Sequence, residues 1–145
     1  LLFRSRLAML GGIFISWFLE SLLEFDDIVK NSLLARSISI PFALVLTEKV
    51  GGSISLIPLF TVITGLVGVL LGDLLLLWIK YKNHFASGAA LGNAAHAMGI
   101  VRARQRHELE GVIASLSMII SGIIMVLFAP SLIAVTKYLL GFISF

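Results

Sequence analysis

The 145-residue chain contains no cysteine, which excludes disulfides, thiolate chemistry and cysteine-based metal sites. Charge is scarce too: 13% of residues are charged, where a soluble domain of this length carries about 25%. No basic, aromatic-interleaved face runs through the sequence, so a nucleic-acid partner is excluded. It also lacks a nucleophile elbow, paired carboxylates across a break and a phosphate-cradling loop, so nothing supports an enzyme. The start, Leu1-Leu2-Phe3-Arg4, has neither an initiator Met nor a signal-peptide pattern, and we read the chain as a C-terminal part of a longer one.

What is abundant is apolar. Hydrophobic residues make up 59% of the chain, against about 45–50% in soluble domains, and the mean hydropathy is +1.06. One buried core cannot use that much apolar surface, whereas a lipid bilayer can. A bilayer-crossing helix needs about 20 mostly apolar residues. Leu7 to Leu23, Ser53 to Ile79 and Gly111 to Phe128 answer that description, with a short last segment from Ser131 to Phe145 beyond Ala129-Pro130. Within the second of these, Gly65, Gly68 and Gly72 form a smooth stripe that lets another helix approach closely.

Two intervening stretches read differently. Ile28 to Val50 carries Lys30, Arg36, Glu48 and Lys49 and is interrupted by Ser37-Ile38-Ser39-Ile40-Pro41. Pro41 donates no backbone hydrogen bond and pushes Ile40 out of helical angles. Phe85 to Val101 is rich in Gly and Ala and holds Asn93 and His96, too polar for a lipid-facing helix. Both stretches are expected to be broken helices.

The positive-inside rule orients them. Arg4 and Arg6 put the start of the first span inside, and Lys80 and Lys82 put the end of the second span inside. The Ile28 to Val50 stretch then enters and leaves on the outer side, turning near Ser37 to Pro41. The second stretch lies between Lys80/Lys82 and Arg102/Arg104/Arg106, so it dips from the cytoplasmic side. Interrupted helices entering from opposite faces are a transporter pattern, with the solute held where the breaks meet. The fold expected is an all-α integral membrane protein, a multi-span helix bundle with two interrupted, re-entrant helices.

The run Gly88-Ala89-Ala90-Leu91-Gly92-Asn93-Ala94-Ala95-His96-Ala97-Met98-Gly99, with Arg102-Ala103 and Glu110-Gly111, resembles the signature of the LrgB/CidB family. That family carries a small-residue run ending in Ser- or Ala-His-Ala-x-Gly-Thr-x-Arg-Ala. Ser37 and Pro41 fall on its Lys-Ser-x-Thr-Thr-Pro stretch, Gly51-Gly52 on its Gly-Gly pair, and Ala129-Pro130 on its Ala-Pro. The similarity covers nearly the whole chain as one LrgB-like transmembrane domain, residues 1–145, with N-terminal spans missing. Departures occur at Ile40 and Ile100, where the family tends to have threonine, at Ala95, where serine is frequent, and at Gln105, where an acid is common.

The resemblance implies a multi-pass protein of the bacterial cytoplasmic membrane, or of the plastid inner envelope in a plant. It implies a small holin-like partner of the LrgA/CidA type and one of two roles. These are antiholin-like modulation of murein hydrolase export and cell lysis, or carriage of small carboxylates such as pyruvate, glycolate or glycerate. A homo-oligomer stays open.

The expected substrate-binding residues are Ser37, Ser39, Pro41, Asn93, His96 and Arg102. Ser37, Ser39 and Pro41 open a half-helix whose amides favour an anion; the plainer alternative is a proline kink repaired by serines. Asn93 and His96 stand three apart, on one helix face, and histidine titrates near neutral pH. Polar residues at membrane depth are functional by default. Arg102 can grip a carboxylate through its bidentate fork. No second metal ligand accompanies His96, so neither a metal nor any other cofactor is expected. Asp73, one position after Gly72, reads as a local feature.

Overall fold

The computed structural model describes residues 25–78 and 83–143. The expected span Leu7 to Leu23 and the flanking charges Arg4, Arg6, Lys80 and Lys82 lie outside these residues. Among the described residues the fold is all-helical. Helices α1 (Asp27–Ala35) and α2 (Ile40–Val50) come first, followed by a 3-10 turn (Ile54–Leu56). Helices α3 (Ile57–Trp78), α4 (His84–Arg106) and α5 (Glu108–Ile143) complete the order.

Two of these helices are long and apolar enough to cross a bilayer, Ile54–Trp78 and Glu108–Ser131. Leu59, Ile63, Leu66, Leu70 and Leu74 of α3 are all more than half exposed or close to it, as suits lipid rather than water. Pro130 sits inside α5, so the expected stop after Phe128 is not a stop. A proline removes one backbone bond, whereas ending a helix in an apolar medium would strand several N–H and C=O groups.

The Ile28 to Val50 stretch is broken where its serines and proline predict. Asp26 accepts from the Asp27 amide at the start of α1. The chain then leaves the helix over residues 36–39 and restarts at α2. Pro41 occupies the first turn of α2, where its missing N–H is not needed. Gly51 ends α2 at φ 78°, a left-handed conformation that glycine adopts without penalty. The two short helices form a hairpin closed at its base by neutral hydrogen bonds. Asn31 Nδ2 donates to the Gly51 carbonyl at 3.3 Å, and the Ser53 amide donates to Ser32 Oγ at 2.8 Å.

Helix α4 is interrupted at His96, whose φ of 50° and ψ of −128° lie far from helical values. These angles are those of the first central residue of a II′ turn, the tightest way to reverse a chain. The reversal is visible in packing: Gly99 lies against the Leu91 carbonyl, although unbroken helix would hold positions 91 and 99 about 12 Å apart. Residues 84–95 and 97–106 are therefore the two arms of a second hairpin, with His96 at its tip.

Helix α5 is the spine shared by both hairpins. Gly88 lies against the Glu110 backbone and Gly92 against Ala114, so the first arm of the second hairpin runs parallel to α5. The absent side chains let the backbones touch. Farther along, Gly122 meets the Phe42 ring, and Met125 and Ala129 join Ala35, Ile38, Ala43, Leu46 and Ile57 in the core under the first hairpin. Helix α3 repeats the arrangement in the opposite sense. Ile57 belongs to that same core, while Gly68 contacts Ala94 and Ala95, and Gly72 contacts Leu91. The glycine stripe is a packing surface for the second hairpin.

Candidate functional site

The two interruptions meet. The imidazole of His96, 4% exposed, approaches the main chain of Ser37 and lies within electrostatic range of the Arg36 guanidinium. Neither ring nitrogen reaches hydrogen-bond geometry with any protein atom. Asn93, one turn before the tip, has a buried side-chain oxygen that is likewise unpartnered. Ser39 is buried at the start of α2, and its side chain makes no capping bond.

Two more buried hydroxyls fall in the same layer. Along α5, Ala114 belongs to the second hairpin and Gly122 to the first; Ser117 lies between them, fully buried with Oγ unpaired. Along α3, Ile57 belongs to the first hairpin and Gly65 to the second; Thr61 lies between, 5% exposed with Oγ1 unpaired. Buried polar atoms are nearly always hydrogen-bonded, and each orphan is a costly exception. Here several occupy the seam between the hairpins, while the nearby clusters are apolar. Ser87 Oγ is a further orphan, nearer the other end of its arm.

His96 is the one described non-glycine residue with positive φ. Such a conformation costs of order 1–3 kcal/mol and persists where the surrounding structure imposes it. Because His96 leaves helical geometry, the expected sharing of a helix face with Asn93 holds only up to the tip.

Arg102 lies elsewhere. Its Nε is bonded to Asp73 Oδ2, and Nη1 donates to Gln105 at 3.3 Å. Arg106 contacts the other Asp73 oxygen at 3.4 Å and Glu110 at 3.2 Å. Glu110, 3% exposed, also meets His84 Nδ1 at 2.7 Å, and the His84 ring stacks on His107 with centroids 4.2 Å apart. These residues form an ion-pair ladder that ties both ends of the second hairpin to α3 and α5. Asp73 is thus the hub of a charge network and not a local feature. Pro41 is exposed on the outer side of α2. Of the six residues expected at the site, Ser37 and His96 are brought together, Asn93 lies one turn before His96 and Ser39 two positions after Ser37; Arg102 is held by Asp73 and Pro41 is exposed.

Arg36, Thr61 and Ser117 join the seam without having been singled out in the sequence. Arg36 carried a usable signal, being a cation immediately before the Ser/Pro break. Thr61 and Ser117 carried none, since a lone hydroxyl in an apolar span is ordinary. Among the described residues no cluster of three or more His, Asp or Glu side chains is arranged to hold a metal.

An all-helical protein with bilayer-length helices and a polar seam between two broken ones belongs among integral membrane proteins. The chain is a member of the LrgB-like family, which it matches over residues 1–135. It is 33% identical to the holin-like protein CidB of Staphylococcus aureus over 70% of this chain and 44% of that one. To CidB of Staphylococcus epidermidis it is 35% identical over 74% of this chain and 46% of that one. The protein YwbG of Bacillus subtilis is 32% identical over 72% of this chain and 46% of its own length. The chain thus spans a little under half the length of these curated relatives. No solved structure matches it.

Proposed function

We propose that the protein is a secondary carrier of a small monocarboxylate, of the pyruvate, glycolate or glycerate type, working by alternating access at the seam. The observation that carries this reading is the buried, unpartnered His96 ring at one helix break, facing the backbone of Ser37 at the other. Backbone that abandons helix at membrane depth is tolerated where it lines a solute path. In this reading the protein is a multi-span bundle in a bacterial cytoplasmic membrane, and the two hairpins are re-entrant from opposite sides. The bound carboxylate accepts hydrogen bonds from Ser37, Ser39, Thr61, His96 and Ser117, and from the amide nitrogen of Asn93. The amides opening α2 add their favourable potential for an anion.

A rival reading has its own support: the relatives of Staphylococcus are named holin-like proteins. In it the protein acts with a small holin-like partner of the LrgA/CidA type to modulate hydrolase release and lysis, and the functional surface is the outside of the bundle. Uptake of labelled pyruvate, glycolate and glycerate into proteoliposomes separates the two. The carrier reading expects saturable uptake that His96→Ala and Ser37→Ala abolish. Uptake unaffected by both substitutions removes the site, and partner binding without uptake of any small acid favours the regulator.

A further inference from the structure

We propose that Arg36 is the charge-selecting residue of the seam, the cation against which a singly charged anion binds. This deepens the carrier reading and rests on it.

Three observations support the assignment. Arg36 stands at the tip of the first hairpin, one residue before Ser37, whose main chain faces the His96 ring. Among the described residues no carboxylate pairs with it, whereas at the base of the second hairpin Arg102 and Arg106 are already engaged and Arg104 is exposed, away from the seam. Arg102 is held by Asp73, and Arg106 by Asp73 and Glu110. The other groups at the seam, Ser37, Ser39, Thr61, Asn93 and Ser117, carry no charge.

An unpaired guanidinium at membrane depth is expensive, and charged groups there pair with one another, with carbonyls or with a ligand. A carboxylate fits the guanidinium fork with two parallel N–H···O bonds. One cation compensates one negative charge. A dicarboxylate would leave its second charge uncompensated in a poorly solvating layer, and a neutral amide would leave Arg36 unanswered. The seam therefore selects monoanions over both.

The test uses the full-length chain in proteoliposomes, with labelled pyruvate as the probe. Unlabelled pyruvate, malonate and pyruvamide serve as competitors. In the wild type, pyruvate competes while malonate and pyruvamide do so at least about tenfold more weakly. Arg36→Gln lowers saturable uptake by roughly 10- to 100-fold, the loss expected for one charge-assisted hydrogen-bonded pair. Arg36→Lys retains the preference for monoanions, and Arg102→Gln leaves that preference unchanged. Equal competition by pyruvamide in the wild type overturns the assignment without any variant having to fold. Saturable uptake that survives Arg36→Gln also overturns it and leaves the carrier reading standing. Absence of both wild-type uptake and pyruvate-dependent thermal stabilisation overturns the two together.

Discussion

His96 and Ser37 belong to different hairpins, yet the histidine ring faces the serine backbone at a layer where buried polar atoms of three helices, α3, α4 and α5, lack partners. Each residue marks the place where its own segment stops being helical. Their meeting turns two local defects into one candidate site.

The backbone at His96 gives the first prediction. Glycine adopts its φ of 50° freely, whereas a β-carbon there costs of order 1–3 kcal/mol. Against this stands the extra entropy that glycine loses on folding, about 0.5–1 kcal/mol. His96→Gly should therefore keep or raise the thermal unfolding midpoint in detergent while removing uptake. His96→Ala, which keeps the strain, should fall below His96→Gly in stability. A Gly variant less stable than the Ala variant would show that the turn does not hold this conformation.

The close backbone approach along α5 gives a graded series. A methyl group at Gly88 or Gly92 would overlap the backbone of Glu110 or Ala114, which has no way to yield. At Gly72 it would meet only the movable end of Leu91, at 3.1 Å. Gly88→Ala and Gly92→Ala should each destabilise by about 1–3 kcal/mol, and Gly72→Ala by clearly less. Equal midpoints for all three would mean that the second hairpin does not pack on α5 in this register.

At the base of the first hairpin, Ser32 Oγ donates to the Ile28 carbonyl at 2.7 Å and accepts from the Ser53 amide at 2.8 Å. Ser32→Ala strands a part-buried amide and should lower stability by about 1–2 kcal/mol. Pro41→Ala, at an exposed first-turn position, should shift it by under about 1 kcal/mol and leave uptake within twofold. Thermal melts and uptake on the same preparations read both.

Asp73→Asn breaks the hub that holds Arg102 and Arg106. Partial exposure of the three side chains limits the loss to about 1–2 kcal/mol. The loss should shrink in high salt, where the wild-type pairs are themselves screened. A salt-independent loss would point to packing instead.

Much of this architecture is legible in the sequence, for identifiable reasons. Pro41 with its flanking serines announces the first break because proline forbids the backbone bond there. The Gly- and Ala-rich run announces a second irregular stretch. Its pivot does not announce itself: a reversal at positive φ would be sought at Gly92 or Gly99, and both glycines serve close packing while His96 makes the turn. Arg102 was legible as a carboxylate binder but not as the partner of Asp73. That contact exists only once the chain has reversed between them. Pro130 misleads because a proline usually ends a helix in water, whereas an apolar medium keeps α5 intact.

The most direct test of the meeting of the two hairpin tips is intrachain cross-linking of Ser37→Cys with His96→Cys in native membranes. None of these 145 residues is cysteine, so the two introduced thiols are the only ones within this sequence. With a short thiol-to-thiol cross-linker, both thiols should disappear as completely as in an Asp73→Cys/Arg102→Cys control pair. Free thiols at 37 and 96 under conditions where the control pair cross-links would contradict the seam.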